Sequence, residues 1–504
     1  MIARRRFLQG TAALLVSNLF AGCAAPRFKS YPFTLGVASG YPAPDGVVLW
    51  TRLLALEESG AVPVRWELAE DEAMRKVVAS GTEEARAEWA HSVHVEASGL
   101  QPDRWYWYRF TAGDAQSPVG RTRTAPAADA RAARLRFAFA SCQQYEQGYF
   151  GAYRHIVRDE PDLIAFLGDY IYESSWGRDH VRKHGAPKPV TLQDYRARYA
   201  LYKSDADLQQ AHAACPWIFT WDDHEVENDY ADDRSQDGMP REEFLALRAA
   251  AYRACYEHMP MPASMRPKGP AMQIYTEVGW GRLASFYVID DRQYRAHQVC
   301  PQRKGGSTVV DPEICKEIND PSRSLLGSAQ EAWLERAMGS SPTAWNILAQ
   351  QTLMAQADRK PGPGRAFWTD GWDGYPAARK KLLGFLHDRK ILNPVVIGGD
   401  VHAHYVADLK PDFDDQKSPV VASEFCGTSI TSQGPSQKQI DDRLPDNPHI
   451  KYGSARRGYV RVEVTPKRLL ADLRGMDGVK TRDAGCGTLK SFVVEDGKAG
   501  PIPV

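Results

Sequence analysis

Four short segments of the chain carry the residue types that hold cations or move protons. Ser141-Cys142-Gln143-Gln144 ends the run RLRFAFASCQQ, Gly168–Glu173 reads GDYIYE, Trp221–Tyr230 reads WDDHEVENDY, and Gly398–Tyr405 reads GGDVHAHY. Asp169 projects from the end of a strand, and a carboxylate has two oxygens and can bridge two cations. Tyr172, three residues along the same loop, points back to the same side. Its phenolate is a hard, electron-rich donor that suits a ferric ion better than zinc or magnesium. Asp223, Asp400 and His402 are further ligand types, and Cys142 becomes one when a cation draws off its proton. Each alone has an ordinary explanation: a buried cysteine packs, a Gly-Asp pair makes a turn, a single histidine is structural. Together, on successive strand ends, they argue for one site.

Those residues need elements to carry them. RLRFAFASC, PDLIAFLGD, CPWIFTWDD, RLASFYVIDD, TAWNILAQQT and NPVVIGGDVHAH are apolar runs of strand length, separated by helix-competent stretches such as REEFLALRAAAYRACYEH. Leu135, Phe137 and Phe139 alternate, which predicts a half-buried strand ending at Cys142. The pattern is that of a layered α/β domain, in which ligands gather outside the carboxyl ends of strands. The stretch RRGYVRVEVTPKRLLADLRGM supplies further strands to the sheet. Before it, from Phe33 to about Pro126, GVVLWTRL, VPVRWELA, HSVHVEAS and RWYWYRFTAG are short aromatic and β-branched runs divided by turn residues, as in a small fibronectin- or immunoglobulin-like β-sandwich. The expected division is an export segment at 1–26, a β-sandwich at 30–126 and an α/β domain at 133–500. No repeat recurs at a fixed period.

The 504 residues hold 63 Lys and Arg against 63 Asp and Glu, so no global basic field exists to hold nucleic acid or an anionic membrane. The N-terminus, MIARRRFLQGTAALLVSNLFAGCAAP, sets Arg4-Arg5-Arg6 before an apolar run shorter than the roughly 20 residues of a spanning helix. It reads as a twin-arginine signal, with the translocation machinery as partner and a periplasmic or extracellular destination. Ala21-Gly22-Cys23 also has a lipoprotein-like ending, with Phe20 where such signals carry Leu; Cys23 is either lipidated, giving membrane attachment, or not. That route exports folded proteins, commonly with a metal or cofactor loaded. Seven cysteines remain beyond Cys23, an odd number in an oxidising compartment, so at least one thiol lacks an intramolecular partner. Cys142 is the candidate, and Cys300 with Cys315 the expected disulfide.

The order and spacing of these motifs resemble the PhoD-like alkaline phosphatase D family of the calcineurin-like metallophosphoesterase superfamily. GVASGYPAPDGVVLWTRL, at Gly36–Leu53, is similar to the signature of that family's N-terminal domain, with Tyr41 where members often carry Asp. The resemblance spans nearly the whole chain beyond the export segment. It implies a two-sheet α/β sandwich preceded by a small all-β domain, and a monomeric enzyme that cleaves phosphate monoesters or diesters at alkaline pH. It further implies an iron(III) ion partnered by calcium, with Cys142, Asp169 and Tyr172 on the iron and Asp169 bridging. Asp223 takes the position of the superfamily's usual Asn, Asn228 supplies a nearby amide, and Asp400, His402 and His404 complete the shell, their division between the two ions left open. His224 matches the catalytic histidine. By this resemblance a metal-bound hydroxide attacks phosphorus while His224 assists the leaving oxygen. Arg292 and Arg295, in DDRQYR, either clamp phosphoryl oxygens or make surface salt bridges. The substrates would be small-molecule, lipid or polymer phosphate esters, in a setting of phosphate scavenging. The segment between Tyr172 and Trp221, with SSWGRDHVRKHGAPKP, is expected to roof the site. A covalent cysteine phosphatase would need a phosphate-cradling loop with a following Arg, which CQQYEQGYFGAY lacks. The alternatives are a noncatalytic cell-surface protein stabilised by metals, and a purple acid phosphatase, which shares the Asp169 and Tyr172 spacing but would not be expected to use Cys142 or Asp223.

Overall fold

A computed structural model of the chain describes residues 28–56, 60–301 and 305–504; the twin-arginine segment and Cys23 lie outside the described residues. Two stacked sheets organise the molecule. The first has ten strands, with a parallel centre of Leu135–Ala140, Leu163–Leu167 and Trp217–Thr220. Gly458–Val464 pairs antiparallel with the first of these, and Arg468–Met476, Cys486–Glu495 and Ile502–Pro503 extend that side. The second sheet runs Thr276–Trp280, Ala284–Val288, Trp345–Ala349, Pro394–Gly398, Ala422–Cys426, His404–Leu409, Ile450–Ser454.

The alternating strand at the start of this account is covered on both faces. Phe137 and Phe139 pack between the sheets against Val278, Phe286 and Ile347. Ala138 and Ala140 turn toward the helices, where their small size admits Tyr153, Tyr195 and Phe244. A central strand thus replaces the expected half-buried one, and alternation reports bulk rather than exposure. Helices Leu192–Lys203, Ala206–Ala214 and Arg241–His258 cover the first sheet, and Gly327–Gly339 and Pro376–Asp388 cover the second. The result is a four-layer sandwich with strand ends meeting at one edge. The helix Leu192–Lys203 starts at a capping box, with the Thr191 hydroxyl accepting from the Asp194 N–H and the Asp194 carboxylate from the Thr191 N–H.

Val62–Ala69, Val77–Ala85, Trp105–Ala112, Ala115–Gln116 and Gly120–Arg123 form a separate antiparallel sheet. It packs through Val64, Leu68, Tyr106 and Phe110 onto Val37, Leu49, Val93 and Val95, completing a β-sandwich. The second leaf of that sandwich, Val37–Ala43, Gly46–Arg52 and Ser92–Ala97, is continuous with the ten-stranded sheet, joined by the parallel pairing of Gly40 with Trp217. Hydrogen bonding therefore crosses from the all-β segment into the α/β layers. Cys300 and Cys315 are disulfide-bonded, while Cys142, Cys215, Cys255, Cys426 and Cys486 are free.

Candidate active site

Cys142, Asp169, Asp223, Asp400 and His402 sit just past the carboxyl ends of strands, and the backbone there is unusual. Cys142, Asp169, Asp400 and His402 have φ of 58°, 59°, 63° and 53°. Left-handed backbone is uncommon outside glycine and clusters where function constrains the chain. Gly168 makes the turn before Asp169 possible: its φ is +104°, and a Cβ there would lie 2.5 Å from the Asp222 Cβ. The Ser141–Cys142 end is fixed by the Cys142 N–H donating to the Gly168 carbonyl at 3.0 Å and by the Ser432 hydroxyl donating to the Cys142 carbonyl at 2.8 Å.

These ends converge on Asp169. Its carboxylate shares one donor cluster with Cys142 and His402, a second with Asp223 and His224, and a third with Asp222 and Asp400, the ligand atoms in each cluster lying within 4.8 Å of one another. The Tyr172 hydroxyl donates to Asp169 Oδ2 at 2.7 Å and lies 3.2 Å from His402 Nε2. His402 Nδ1 contacts the Gln433 carbonyl at 2.6 Å, so Nε2 is the nitrogen presented to the cluster. Five expected metal ligands, Cys142, Asp169, Tyr172, Asp400 and His402, thus meet at one place, and Asp223 joins them through Asp169.

A cation fits this donor set. Asp169 Oδ1, Asp222 Oδ2, Asp223 Oδ1 and Asp400 Oδ2 are buried without a hydrogen-bond partner among the described residues. Unpartnered buried carboxylate oxygens are costly unless a cation offsets them. Burial, with Asp169 and Asp400 beside it, pushes the Cys142 thiol far above its usual range, and burial with Asp169 does the same to Tyr172. Asp400 is likewise raised by burial, despite Arg292, with Asp223 and Asp370 adding to the effect. Burial and neighbouring charge therefore favour the protonated forms of Cys142, Tyr172 and Asp400, and a multivalent ion reverses that balance.

His224 has a different environment. Its Nδ1 donates to Glu173 Oε2 at 2.6 Å, and Glu173 Oε1 also accepts the Asn228 N–H at 3.2 Å. Burial lowers the imidazole pKa, but Glu173, Asp223 and Asp169 outweigh it and hold the ring well above its usual value.

Arg292 and Arg295 are buried in carboxylate contacts and do not form the surface salt bridges that are the alternative expectation. They are 0% and 1% exposed. Arg292 binds Asp222 Oδ1 and, at 2.5 Å, Asp370 Oδ2, with Asp223 Oδ2 at 3.8 Å; Arg295 donates to Asp370 Oδ1 and, at 2.6 Å, to the Asp370 carbonyl. They organise the acidic cluster from beneath, a role that burial and charge number impose. His404 begins the strand His404–Leu409, fully buried, and joins no donor cluster among the described residues; burial pushes its pKa down to about 3. The Asn228 amide nitrogen donates to Gln236 Oε1 at 2.9 Å.

A model of the family described as PhoD-like phosphatase matches residues 137–473, and that family's N-terminal domain matches residues 20–126. The chain belongs to the PhoD-like phosphatase family. It is 46% identical over 523 residues to alkaline phosphatase D of Bacillus subtilis (strain 168), covering 99% of this chain and 88% of that protein. A solved structure titled "Structure of PhoD" superposes with a TM-score of 0.91 at 47% identity, over 95% of this chain and 93% of that one. The chain is a phosphatase with an α/β sandwich preceded by an all-β segment.

Against this PhoD-like frame, several residues that support the site were not singled out by sequence reasoning. Glu225 accepts the N–H groups of Tyr170 at 2.6 Å, Asp222 at 2.9 Å and Asp169 at 3.1 Å, fastening two ligand loops together. Glu173 and Glu225 lie inside the motifs GDYIYE and WDDHEVENDY, which was the available signal. Asp370, which anchors both arginines, lies in no such motif. From the segment after Tyr172, Trp176 stacks its ring on His402 with centroids 5.8 Å apart; residues 177–190 continue without helix or strand, and Leu192–Lys203 and Ala206–Ala214 then form helices over the first sheet.

Proposed function

We propose that this phosphatase hydrolyses phosphate monoesters and diesters outside the cytoplasm, with an iron(III) and a calcium ion held around Asp169. The observation that carries the reading is the membership of Asp169 in three donor clusters, beside carboxylates whose buried oxygens have no other partner among the described residues. Cys142, Asp169, Tyr172 and His402 would hold the iron, since thiolate and phenolate suit a strongly charged transition ion. Asp223, Asn228 and Asp400, with Asp222 close by, offer the oxygen donors that suit calcium. When bound, the ions neutralise phosphoryl charge and acidify the attacking water.

The remaining work belongs to the chain. Glu173 takes the Nδ1 proton of His224 in a hydrogen bond, which orients the ring and leaves Nε2 to protonate the departing ester oxygen, an assistance generally worth about 10²- to 10⁴-fold. Arg292 and Arg295 hold the Asp222 and Asp370 side chains in place through ion pairs, so the carboxylates do not rearrange as phosphoryl charge develops. Trp176 over His402 limits water at that side of the site. The name of the relative, alkaline phosphatase D, supports alkaline ester hydrolysis. The N-terminal motif supports twin-arginine export and phosphate scavenging as the setting, with membrane attachment depending on Cys23. No helix among the described residues is long and apolar enough to cross a membrane.

The test is hydrolysis of p-nitrophenyl phosphate and bis-p-nitrophenyl phosphate before and after treatment with a calcium-selective chelator. Turnover of both esters should stop on chelation and return with calcium. Full activity after exhaustive chelation contradicts the calcium assignment, and absence of turnover on both esters contradicts the reading.

A further inference from the structure

A cavity of about 250 Å³ borders the loop between Asp400 and His402 at Val401. Tyr405, Asp358, Asn447, Arg359 and Arg443 help to line it. Arg443 ends the helix Gln437–Arg443, and the Arg359 guanidinium lies 4.6 Å from the centre of the Trp368 ring. Asn447 ties the two segments together, accepting the Asp358 N–H at 2.8 Å and donating to the carbonyls of Asp358 and Arg443 at 3.0 and 2.8 Å.

Several arginines of the α/β layers lack a carboxylate partner among the described residues; Arg198 and Arg457 direct their guanidinium groups to backbone carbonyls instead. Arg292, Arg295, Arg379 and Arg461 each engage an aspartate, whereas neither Arg359 nor Arg443 makes an ion pair among the described residues. The nearby acids are otherwise occupied. Asp358 Oδ1 accepts the N–H groups of Lys360 and Ala366, both at 2.9 Å, and Asp373 binds Arg379 at 2.6 Å and the Ala357 N–H at 2.9 Å. Burial and then the charge of Arg443 lower the Arg359 pKa, against the opposing effects of Asp373, Tyr405 and Asp400. Two guanidinium groups lining one cavity, their segments joined by Asn447 and neither in an ion pair among the described residues, make a receptor for an external anion. Guanidinium forks suit the oxygens of a phosphate.

We propose that Arg359 and Arg443 form an anion subsite that takes a second phosphate group of a substrate whose scissile phosphate occupies the Asp169 centre. This rests on the phosphoesterase reading and deepens it: the enzyme selects esters carrying two phosphates a short distance apart. A free phosphate ion offers the same chemistry from another source, and the test separates the two.

Metal-loaded protein is titrated calorimetrically with a series of alkane bisphosphonates of increasing chain length, with the matching monophosphonates and with inorganic phosphate. At one chain length the bisphosphonate should bind about tenfold tighter than its monophosphonate. The Arg359→Gln/Arg443→Gln double variant should lose that advantage while keeping monophosphonate affinity and p-nitrophenyl phosphate turnover within about twofold. A parent without the advantage at any length, or a double variant that retains it, overturns the proposal. So does a second equivalent of inorganic phosphate, lost in the double variant, with no bisphosphonate gain. Parent protein that turns over no p-nitrophenyl phosphate contradicts the phosphoesterase reading instead, since the titration judges the subsite without turnover.

Discussion

At the scale of single residues, Cys142 and Tyr172 are the pair whose chemistry is most specific. Both are fully buried, and burial with neighbouring carboxylates raises both pKa values well above the usual range. Such groups ionise only beside a cation that draws off the proton. If both bind ferric iron as anions, each donates charge into it, and the resting protein is coloured. Tyr172→Phe should then remove the phenolate absorption in the visible range. Cys142→Ser should shift the remaining absorption and weaken iron retention, because a hydroxyl is much harder to deprotonate than a thiol. Iron per chain and the visible spectrum of the two variants beside the parent make the check. An unchanged iron content and spectrum in Cys142→Ser would return that residue to packing, where its only side-chain hydrogen bond among the described residues is to the Ser141 hydroxyl at 3.1 Å.

At the scale of elements, the site is a problem of holding loops from four strands in register. Glu225 does this for two of them by accepting three backbone N–H groups. A Gln there keeps the shape but offers one acceptor oxygen where the carboxylate has two, which leaves at least one buried donor unpaired at about 1–3 kcal/mol. Amide exchange at Asp169, Tyr170 and Asp222 should accelerate by roughly 10- to 100-fold in Glu225→Gln, and unchanged protection at all three would show that the loops are fixed by other means. The strands themselves were legible because β-branched and aromatic runs ending in Gly-Asp or Asp-Asp mark both the strand and its exit. Val77–Ala85 was not, since its mostly exposed sequence VVASGTEEA carries no apolar face. The burial of Arg292 escaped the sequence for another reason: its partners Asp222 and Asp370 are 70 and 78 residues away, and only the stacking of the sheets brings them together. His404 shares its motif with real cluster members but enters the strand, where it is buried away from the cluster.

At the scale of the whole molecule, the all-β segment and the α/β layers are joined by the continuous sheet and by a buried contact at Lys203. Its ammonium sits 4.2 Å from the centre of the Trp50 ring, and burial pushes its pKa down to about 7. In the unfolded chain the value is about 10.4, so between those two values the unfolded state holds a proton that the folded state has released. Stability from this group therefore rises with pH across the window and is lost as pH falls through about 7. Lys203→Met should raise Tm at pH 6.5 and lose that advantage toward pH 10; a variant no more stable than the parent at pH 6.5 would contradict the cost assigned to the buried ammonium. The central claim, however, is that this frame exists to bring several metal ligands onto one shared carboxylate. Elemental analysis of Asp169→Asn beside the parent, both purified without added metal and assayed on p-nitrophenyl phosphate, tests it most directly. The single substitution is expected to remove the bound metals and abolish turnover, because Asp169 is the residue common to three donor clusters. A variant that keeps the parent's metal content and hydrolyses the ester at the parent's rate would contradict it.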